Sequence, residues 1–168
     1  INEDCTDLIL YNRRNILNTY KLPYGKVNLE LEFSNLSGAE KCEATQKAVE
    51  NAFDNLEWLE EVEEEFSVFG TNETFLNLGN ISRRARRYAV DVEHNYELNL
   101  EDFNKVYDVI KPLDTAKNTK VKGVEVYNTQ FLQAGLTIAK VVLSKLNKTD
   151  LCVSKYNYLN GALLQYSL

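Results

Sequence analysis

The sequence predicts a mainly α-helical fold, a single domain over residues 1–168 built as a bundle of five or six helices. Three observations support this class. Apolar residues recur at steps of three and four along much of the chain, which is the period of an amphipathic helix. A length of 168 residues with 44% hydrophobic and 26% charged residues is typical of one globular domain. Strict alternation of apolar and polar residues, the pattern of a half-buried strand, is prominent in only one stretch.

The first half of the chain predicts two helices and one strand. Residues 6–20 are a weak helix candidate. The stretch 26-KVNLELEF-33 alternates apolar with polar side chains and predicts a strand. A long helix is expected from a cap at Ser37 to about Phe66. The stretch 70–80 contains glycine and asparagine between periodic segments, so it is expected to be a surface loop.

The second half predicts four helices. The first covers 81–96, and the second begins at a cap on Asn99 and ends before Pro112. Residues 124–146 are apolar on more than one face, which is typical of a central helix. A last helix is expected over 149–166.

One or two short strands are expected in the long connections, the first at 26–33 and the second at 120–126, where it could pair with the first. The order of a helix, a crossover with a strand, further helices, a second crossover and a closing helix resembles the layout of helical cytokine bundles. The resemblance concerns layout alone, since no residue motif of a known family is present.

Several features of the sequence favour an extracellular location. The chain contains no methionine and starts at Ile1, which is consistent with removal of a signal peptide. Asn-x-Ser/Thr sequons occur four times, where roughly two are expected by chance at this composition. The predicted glycosylation sites are Asn35, Asn72, Asn80 and Asn147.

The three cysteines predict one disulfide in an oxidising compartment. Cys42 and Cys152 both lie on the apolar stripes of predicted helices, so a bridge between them is expected. Cys5 would then be a free thiol or join two chains into an oligomer. Bridges from Cys5 to either partner, and three reduced thiols in a reducing cell, are the alternatives.

The stretch 81-ISRRARRYAV-90 places Arg83, Arg84, Arg86 and Arg87 on one face of a predicted helix. Our preferred interpretation is that this basic helix start packs against the acidic end of the long helix, 57-EWLEEVEEEF-66. The arginines could instead bind an acidic or sulfated partner. The segment 84–87 is also similar to the basic tetrapeptide that furin-type processing proteases cut, although those proteases bind extended chain.

The sequence lacks the residues that common catalytic and binding sites require. His94 is the sole histidine, which excludes a di-metal centre with two histidines, and no nucleophile elbow or phosphate-binding loop is present. The net charge of −6 argues against nucleic acid, and no apolar run is long enough to span a membrane. We therefore expect no catalytic residues, no metal, no cofactor and no enzyme activity.

These observations predict a secreted, glycosylated helical bundle that acts by binding another protein. Trp58 points away from the main apolar stripe of the long helix, so it either packs on a second helix or joins the arginines in a partner-binding surface. The first alternative is a carrier that encloses an apolar small molecule between its helices. The second is an enzyme built on His94 and its flanking carboxylates.

Overall fold

The structure is a computed structural model, and it describes residues 1–13, 15–53, 65–88, 93–113, 117, 120–124 and 129–166. The described residues form six α-helices, five strands and one short 3₁₀ turn. The predicted mainly helical bundle is therefore wrong, because strands lie at both ends of the chain and in its middle. No helix of the described residues is long and apolar enough to cross a membrane.

The N-terminal segment forms an antiparallel hairpin, β1 (Thr6–Tyr11) and β2 (Ile16–Leu22), rather than the predicted helix at 6–20. Thr6 and Leu22 face each other across the hairpin and are both buried. Burial alternates along β1, with Leu8 partly buried beside the exposed Ile9. This period of two is typical of a strand with one solvated face. The strand is too short for the sequence pattern alone to distinguish this period from that of a helix.

A second sheet contains β3 (Phe69–Thr71), β4 (Tyr96–Asn99) and β5 (Asp150–Ser154), with β5 in the centre. The central strand is parallel to β3 and antiparallel to β4. Leu151 and Val153 of β5 are buried. The predicted last helix at 149–166 therefore divides into a buried strand and a later helix.

The helices surround this sheet and one another, and their bounds are α1 (Lys26–Glu32), α2 (Gly38–Ala52), α3 (Glu73–Ala85), α4 (Leu100–Ile110), α5 (Leu132–Lys145) and α6 (Tyr158–Tyr166). A 3₁₀ turn at Thr129–Phe131 precedes α5. Nearly every residue of α5 is buried, and it contacts the other helices from α1 to α4. The prediction of a central helix within 124–146 is confirmed for residues 132–145.

The predicted strand at 26–33 is wrong, since these residues form α1. Gly25 caps this helix, and its backbone amide donates to Oδ1 of Asn28 at 2.7 Å. In a strand, the apolar residues of this stretch would all lie on one face and share the same burial. Instead Leu29 is fully buried, whereas Leu31 is 68% exposed. Its expected partner at 120–126 forms no strand over 120–124, the part of that stretch that the structure describes.

The long helix predicted from Ser37 ends early. The segment α2 stops at Ala52, followed by a turn at Phe53, and residues 65–68 are not helical. Trp58 and most of the acidic stretch 57–66 lie outside the described residues, so their predicted roles are untested.

Two boundaries around the arginine stretch also differ from prediction. The expected loop at 70–80 contains β3 and the first half of α3, and the expected helix at 81–96 ends at Ala85. The helix predicted from Asn99 to Pro112 is confirmed as α4, with Oδ1 of Asn99 accepting from the amide of Asp102 at 2.8 Å.

Candidate functional site

The parallel strands β3 and β5 end at the same edge of the sheet. Their register places Thr71 beside Ser154, each at the carboxyl end of its strand. In open α/β sheets, ligands bind in the crevice outside the carboxyl ends of the strands. We therefore take this edge as the candidate functional site.

Asn72 connects β3 to α3 in a strained conformation. Its φ of 71° and ψ of −171° fall in a region that is essentially restricted to glycine. The side chain does not cap α3; its Nδ2 donates instead to the carbonyl oxygen of Ile1 at 2.7 Å. Oδ1 of Asn72 is buried and has no hydrogen-bond partner among the described residues. Strain of this kind persists where the surrounding structure imposes it, and it is common at ligand sites.

The first turn of α3 follows Asn72 with no side-chain cap. The amides of Glu73, Thr74 and Phe75 belong to this turn, and first-turn amides lack partners within a helix. Together with the helix dipole, they make a positive end that favours a negatively charged group. Glu73 supplies such a group from within the chain.

Lys26 lies behind this turn and is buried, with its Nζ 2.6 Å from Oε2 of Glu73. The segment 1–5 holds the start of α1 in place: the amide of Lys26 donates to the carbonyl of Asn2 at 3.0 Å, and that of Val27 to the carbonyl of Glu3 at 2.9 Å. Segment 1–5, the start of α1 and the β3–α3 turn therefore form one unit.

Gly25 is required for the close approach within this unit. A Cβ atom at this position would lie 2.5 Å from backbone atoms of Glu3 and Cys5, which no real contact allows. The same segment exposes Glu3 and Asp4, so the surroundings of the buried Lys26 are acidic.

His94, Tyr156 and their neighbours lie at the β5 end of the same edge. Because β4 runs antiparallel to β5, the start of β4 adjoins the end of β5. The rings of His94 and Tyr156 meet edge to face at 4.8 Å between centroids, and Nδ1 of His94 is buried without a hydrogen-bond partner among the described residues. Lys155 and Glu93 form an ion pair of 2.9 Å beside them.

A separate apolar cavity of about 710 Å³ lies between β1 and α5. It reaches the β3–α3 unit through Thr71 and Phe75, but neither Lys26 nor Glu73 lines it. The predicted carrier would enclose its ligand between helices, whereas a strand forms one wall of this cavity. Within the described residues, no three His, Cys, Asp or Glu side chains are grouped so that they could hold a metal ion.

The four arginines do not form one surface. Arg83 is buried and its Nη2 donates to Oδ1 of Asn80, whereas Arg84, Arg86 and Arg87 are exposed. Nη1 of Arg86 lies 3.0 Å from Oδ2 of Asp102 in α4. The arginines occupy the end of α3 instead of a helix start, so the helix dipole favours them and no acidic neighbour is needed to offset it.

The structure separates the four predicted glycosylation sites into two kinds. Asn35 and Asn147 are exposed. Asn80 is buried, and the Nδ2 atom of Asn72, to which a glycan would be attached, is engaged with the carbonyl of Ile1. A glycan on Asn72 would require the β3–α3 turn to open, and a glycan on Asn80 would require α3 to unfold locally.

All three cysteines are free thiols, so the predicted Cys42–Cys152 disulfide is wrong. Cys42 points from α2 to the carbonyl of Lys111 at 3.9 Å, and burial raises the pKa of its thiol. Cys152 lies in the central strand, where burial likewise raises its pKa. The predicted pairing assumed that Cys152 was in a helix beside α2.

Sequence reasoning missed Lys26 and Glu73, and it predicted Asn72 only as a glycosylation site. The available signal was the segment 68-VFGTNETF-75, a short apolar stretch followed by a turn and an acidic helix start. Apolar residues continue at helical spacing from Phe75 through Leu78 to Ile81, so the helix start could have been placed eight residues earlier.

Comparison with known proteins adds an independent finding. The model of the Ppx/GppA phosphatase family matches residues 5–167. Among curated proteins, none matches the sequence.

Solved structures share the fold. An exopolyphosphatase from Cytophaga hutchinsonii has a TM-score of 0.85 at 17% identity, covering 99% of this chain and 55% of that one. The Ppx/GppA family member from Aquifex aeolicus has a TM-score of 0.79 at 20% identity, covering 98% of this chain and 53% of that one. An exopolyphosphatase-like protein has a TM-score of 0.80 at 14% identity, covering 98% of this chain and 56% of that one. The chain spans about half the length of these structures.

These findings identify the fold as an actin-like α/β fold and correct the functional predictions. A match to an enzyme family over nearly the whole chain overturns the prediction of a binding protein without catalysis, together with the apolar carrier. The extracellular location stays a prediction. The exclusion of an enzyme depended on missing side-chain motifs. A site made of backbone amides and one lysine leaves no such motif in the sequence.

Proposed function

The chain belongs to the Ppx/GppA phosphatase family, and on that premise we propose that it forms one half of an enzyme that hydrolyses phosphate anhydrides. The β3–α3 turn would receive the phosphate group. The observation that supports this is the strained Asn72, which leaves the first turn of α3 uncapped at the carboxyl edge of a parallel strand pair. Solved relatives described as exopolyphosphatases make inorganic polyphosphate the first substrate to test.

The groups at this turn suit a phosphate chemically. Backbone amides at a helix start donate to phosphate oxygens, and the ammonium group of Lys26 adds a full positive charge beside them. In hydrolysis, a water oxygen bonds to the terminal phosphorus while the bond from phosphorus to the bridging oxygen breaks, and the attacking water gives up a proton to the solvent. Negative charge on the transferred group and on the departing oxygen is stabilised by fixed donors of this kind.

The acidic surroundings predict an unusual salt dependence. The net charge is −6, and Glu3 and Asp4 are exposed beside the site. Like charges repel a polyanion at long range, and at 0.1 M salt this repulsion is largely screened beyond about 10 Å. Raising monovalent salt modestly should therefore lower the KM for polyphosphate.

The test is phosphate release from inorganic polyphosphate by the protein expressed from its own gene, compared with its Lys26→Met variant. Lys41→Met is the matched control, because Lys41 is also buried and paired with a glutamate, Glu30, in a contact of 2.5 Å that is separate from the β3–α3 turn. Both variants lose a buried ion pair, so both should be less stable.

We expect the Lys26→Met variant to lose at least 90% of kcat/KM at a temperature where both variants are folded, and Lys41→Met to retain most of it. Equal losses in both variants would assign Lys26 a structural role only. No phosphate release by the wild-type protein would count against the proposed activity itself.

A further inference from the structure

We propose that Glu73 is an internal inhibitor of the anion site: its carboxylate occupies the position of a phosphate oxygen, and a phosphate binds to Lys26 only by displacing it. This inference rests on the proposed function and concerns regulation of the same site. It follows from three properties of the Lys26–Glu73 pair: the burial of the lysine, the exposure of the glutamate and its place at a helix start.

The buried ammonium group of Lys26 requires a counter-charge in the folded protein. Its side chain is only 8% exposed, and a buried ammonium group without a counter-charge is strongly unfavourable. Glu73 is the only partner within ion-pair distance of Lys26 that the described residues provide. Removing this carboxylate without supplying another anion therefore destabilises the protein and raises its affinity for any anion that can reach Lys26.

The carboxylate of Glu73 can move away from Lys26 at little cost in free energy. Its side chain is 50% exposed, so its carboxylate can return to water without disturbing the core. Exchanging one anion for another keeps the lysine neutralised throughout. A phosphate brings more negative charge and more acceptor oxygens than a carboxylate, so it can also accept from the α3 amides that Glu73 leaves.

The helix start explains why the two anions compete. A negative group in the first turn of a helix interacts favourably with its dipole, and this holds for a side-chain carboxylate and for a bound phosphate alike. Glu73 is the first residue of α3 and is tethered beside Lys26, so its effective concentration at the lysine is in the millimolar range or above. Free phosphate must therefore outcompete the carboxylate of Glu73 to bind Lys26.

The experiment measures binding of inorganic tripolyphosphate by titration calorimetry to the wild-type protein and three variants. Glu73→Gln removes the competing charge with little change in shape. Glu73→Asp keeps a charge in the first turn but shortens the side chain, which weakens its reach to Lys26. Glu101→Gln is the matched control, because Glu101 also lies in a first helical turn and is paired with a lysine, in α4.

We expect Glu73→Gln to bind tripolyphosphate on the order of tenfold more tightly than the wild-type protein, since one like charge is removed within a few ångströms of the anion. Glu73→Asp should bind with intermediate affinity, and Glu101→Gln should equal the wild type. Adding Lys26→Met to Glu73→Gln should abolish the gain.

The outcomes separate this inference from the proposed function. Equal affinity of the wild-type protein and Glu73→Gln for tripolyphosphate would contradict the internal inhibitor but not the phosphate site. Absence of binding in all proteins, including Glu73→Gln, would overturn both. Thermal unfolding of each variant confirms that it is folded at the titration temperature.

Discussion

The ammonium group of Lys26 and the carboxylate of Glu73 lie 2.6 Å apart, although 47 residues separate them in the sequence. The pair joins the first residue of α1 to the first residue of α3. It fixes a positive charge beside a strained turn at the edge of the central sheet. The proposed anion site and the carboxylate that would compete for it therefore both belong to helix starts.

The strain at Asn72 can be measured by two substitutions. Both Asn72→Gly and Asn72→Ala remove the hydrogen bond from Nδ2 to Ile1, so their difference isolates the backbone conformation. At an ordinary position glycine is less stable than alanine by roughly 0.5–1 kcal/mol. Here we expect the glycine variant to be the more stable by about 1–2 kcal/mol, because φ and ψ lie in a region essentially restricted to glycine. Urea unfolding measures this order, and the ordinary order would contradict the strained turn.

Two glycine-to-alanine substitutions should have opposite effects. A Cβ atom on Gly135 of α5 would lie 2.5 Å from Oγ1 of Thr74, whereas one on Gly79 of α3 would meet its nearest neighbours at 3.5 Å or more. Gly135→Ala should therefore destabilise the protein by about 1–3 kcal/mol, and Gly79→Ala should stabilise it by up to about 1 kcal/mol.

A second substitution tests the cause of the Gly135 effect. Combining Gly135→Ala with Thr74→Ala removes the two nearest atoms that the new methyl group would meet, Oγ1 and Cγ2 of Thr74, so the double variant should be more stable than the sum of the two single changes predicts. Simple additivity in the unfolding free energies would mean that α3 and α5 do not approach closely at this point.

The exposed arginines should differ in their contribution to stability. Arg86 pairs with Asp102, which is largely buried, while Arg84 is exposed. Since Arg86 is itself 48% exposed, we expect Arg86→Gln to cost only about 0.5–1 kcal/mol and Arg84→Gln close to nothing. Chemical unfolding at low and high salt measures both losses of stability. A larger loss in Arg84→Gln than in Arg86→Gln would contradict the pairing of Arg86 with Asp102.

Alkaline pH should destabilise the protein through Cys42 and Tyr107. Burial raises the pKa of both groups in the folded state, so folding requires them to stay protonated. In the unfolded chain they release protons near pH 8.5 and 10, respectively. Their contribution to stability is therefore complete below about pH 8.5 and declines as the pH rises above that value.

Replacing Tyr107 with phenylalanine isolates one part of this dependence. The variant loses the contact between the phenolic oxygen and Oγ1 of Thr137, which measures 3.3 Å, so it should be somewhat less stable at neutral pH. Between pH 10 and 11 its unfolding free energy should fall less steeply than that of the wild-type protein. Parallel curves over that interval would exclude Tyr107 as a source of the alkaline loss.

Some of the fold could be predicted because local signals and tertiary structure agree. The cap at Asn99 defined the start of α4 correctly, and the predicted helix at 124–146 contains α5, which begins only at Leu132. The strands were missed because they are three to seven residues long, too short for a period of two to be distinguished from a helical stripe. The alternation at 26–33 misled for a related reason, since packing of α1 buried Leu29 and left Leu31 in water.

The candidate site was beyond sequence reasoning for a different reason. Its main parts are backbone amides, a backbone strain at Asn72 and a lysine, and the lysine reaches its partner across 47 residues. None of these features has a distinctive residue spacing. The charge of the arginine cluster can be read from the sequence, whereas the position of a helix start beside the carboxyl ends of two parallel strands is known only once the strand order is known.

The most direct test of the phosphate site is an NMR titration of backbone amides with inorganic tripolyphosphate, which detects binding even where Glu73 weakens it. We expect the largest chemical-shift changes at residues 72–76 and 25–27, around the β3–α3 turn and the start of α1. Changes confined to the exposed arginines at 84–87, or to no defined region, would contradict a phosphate site at this turn.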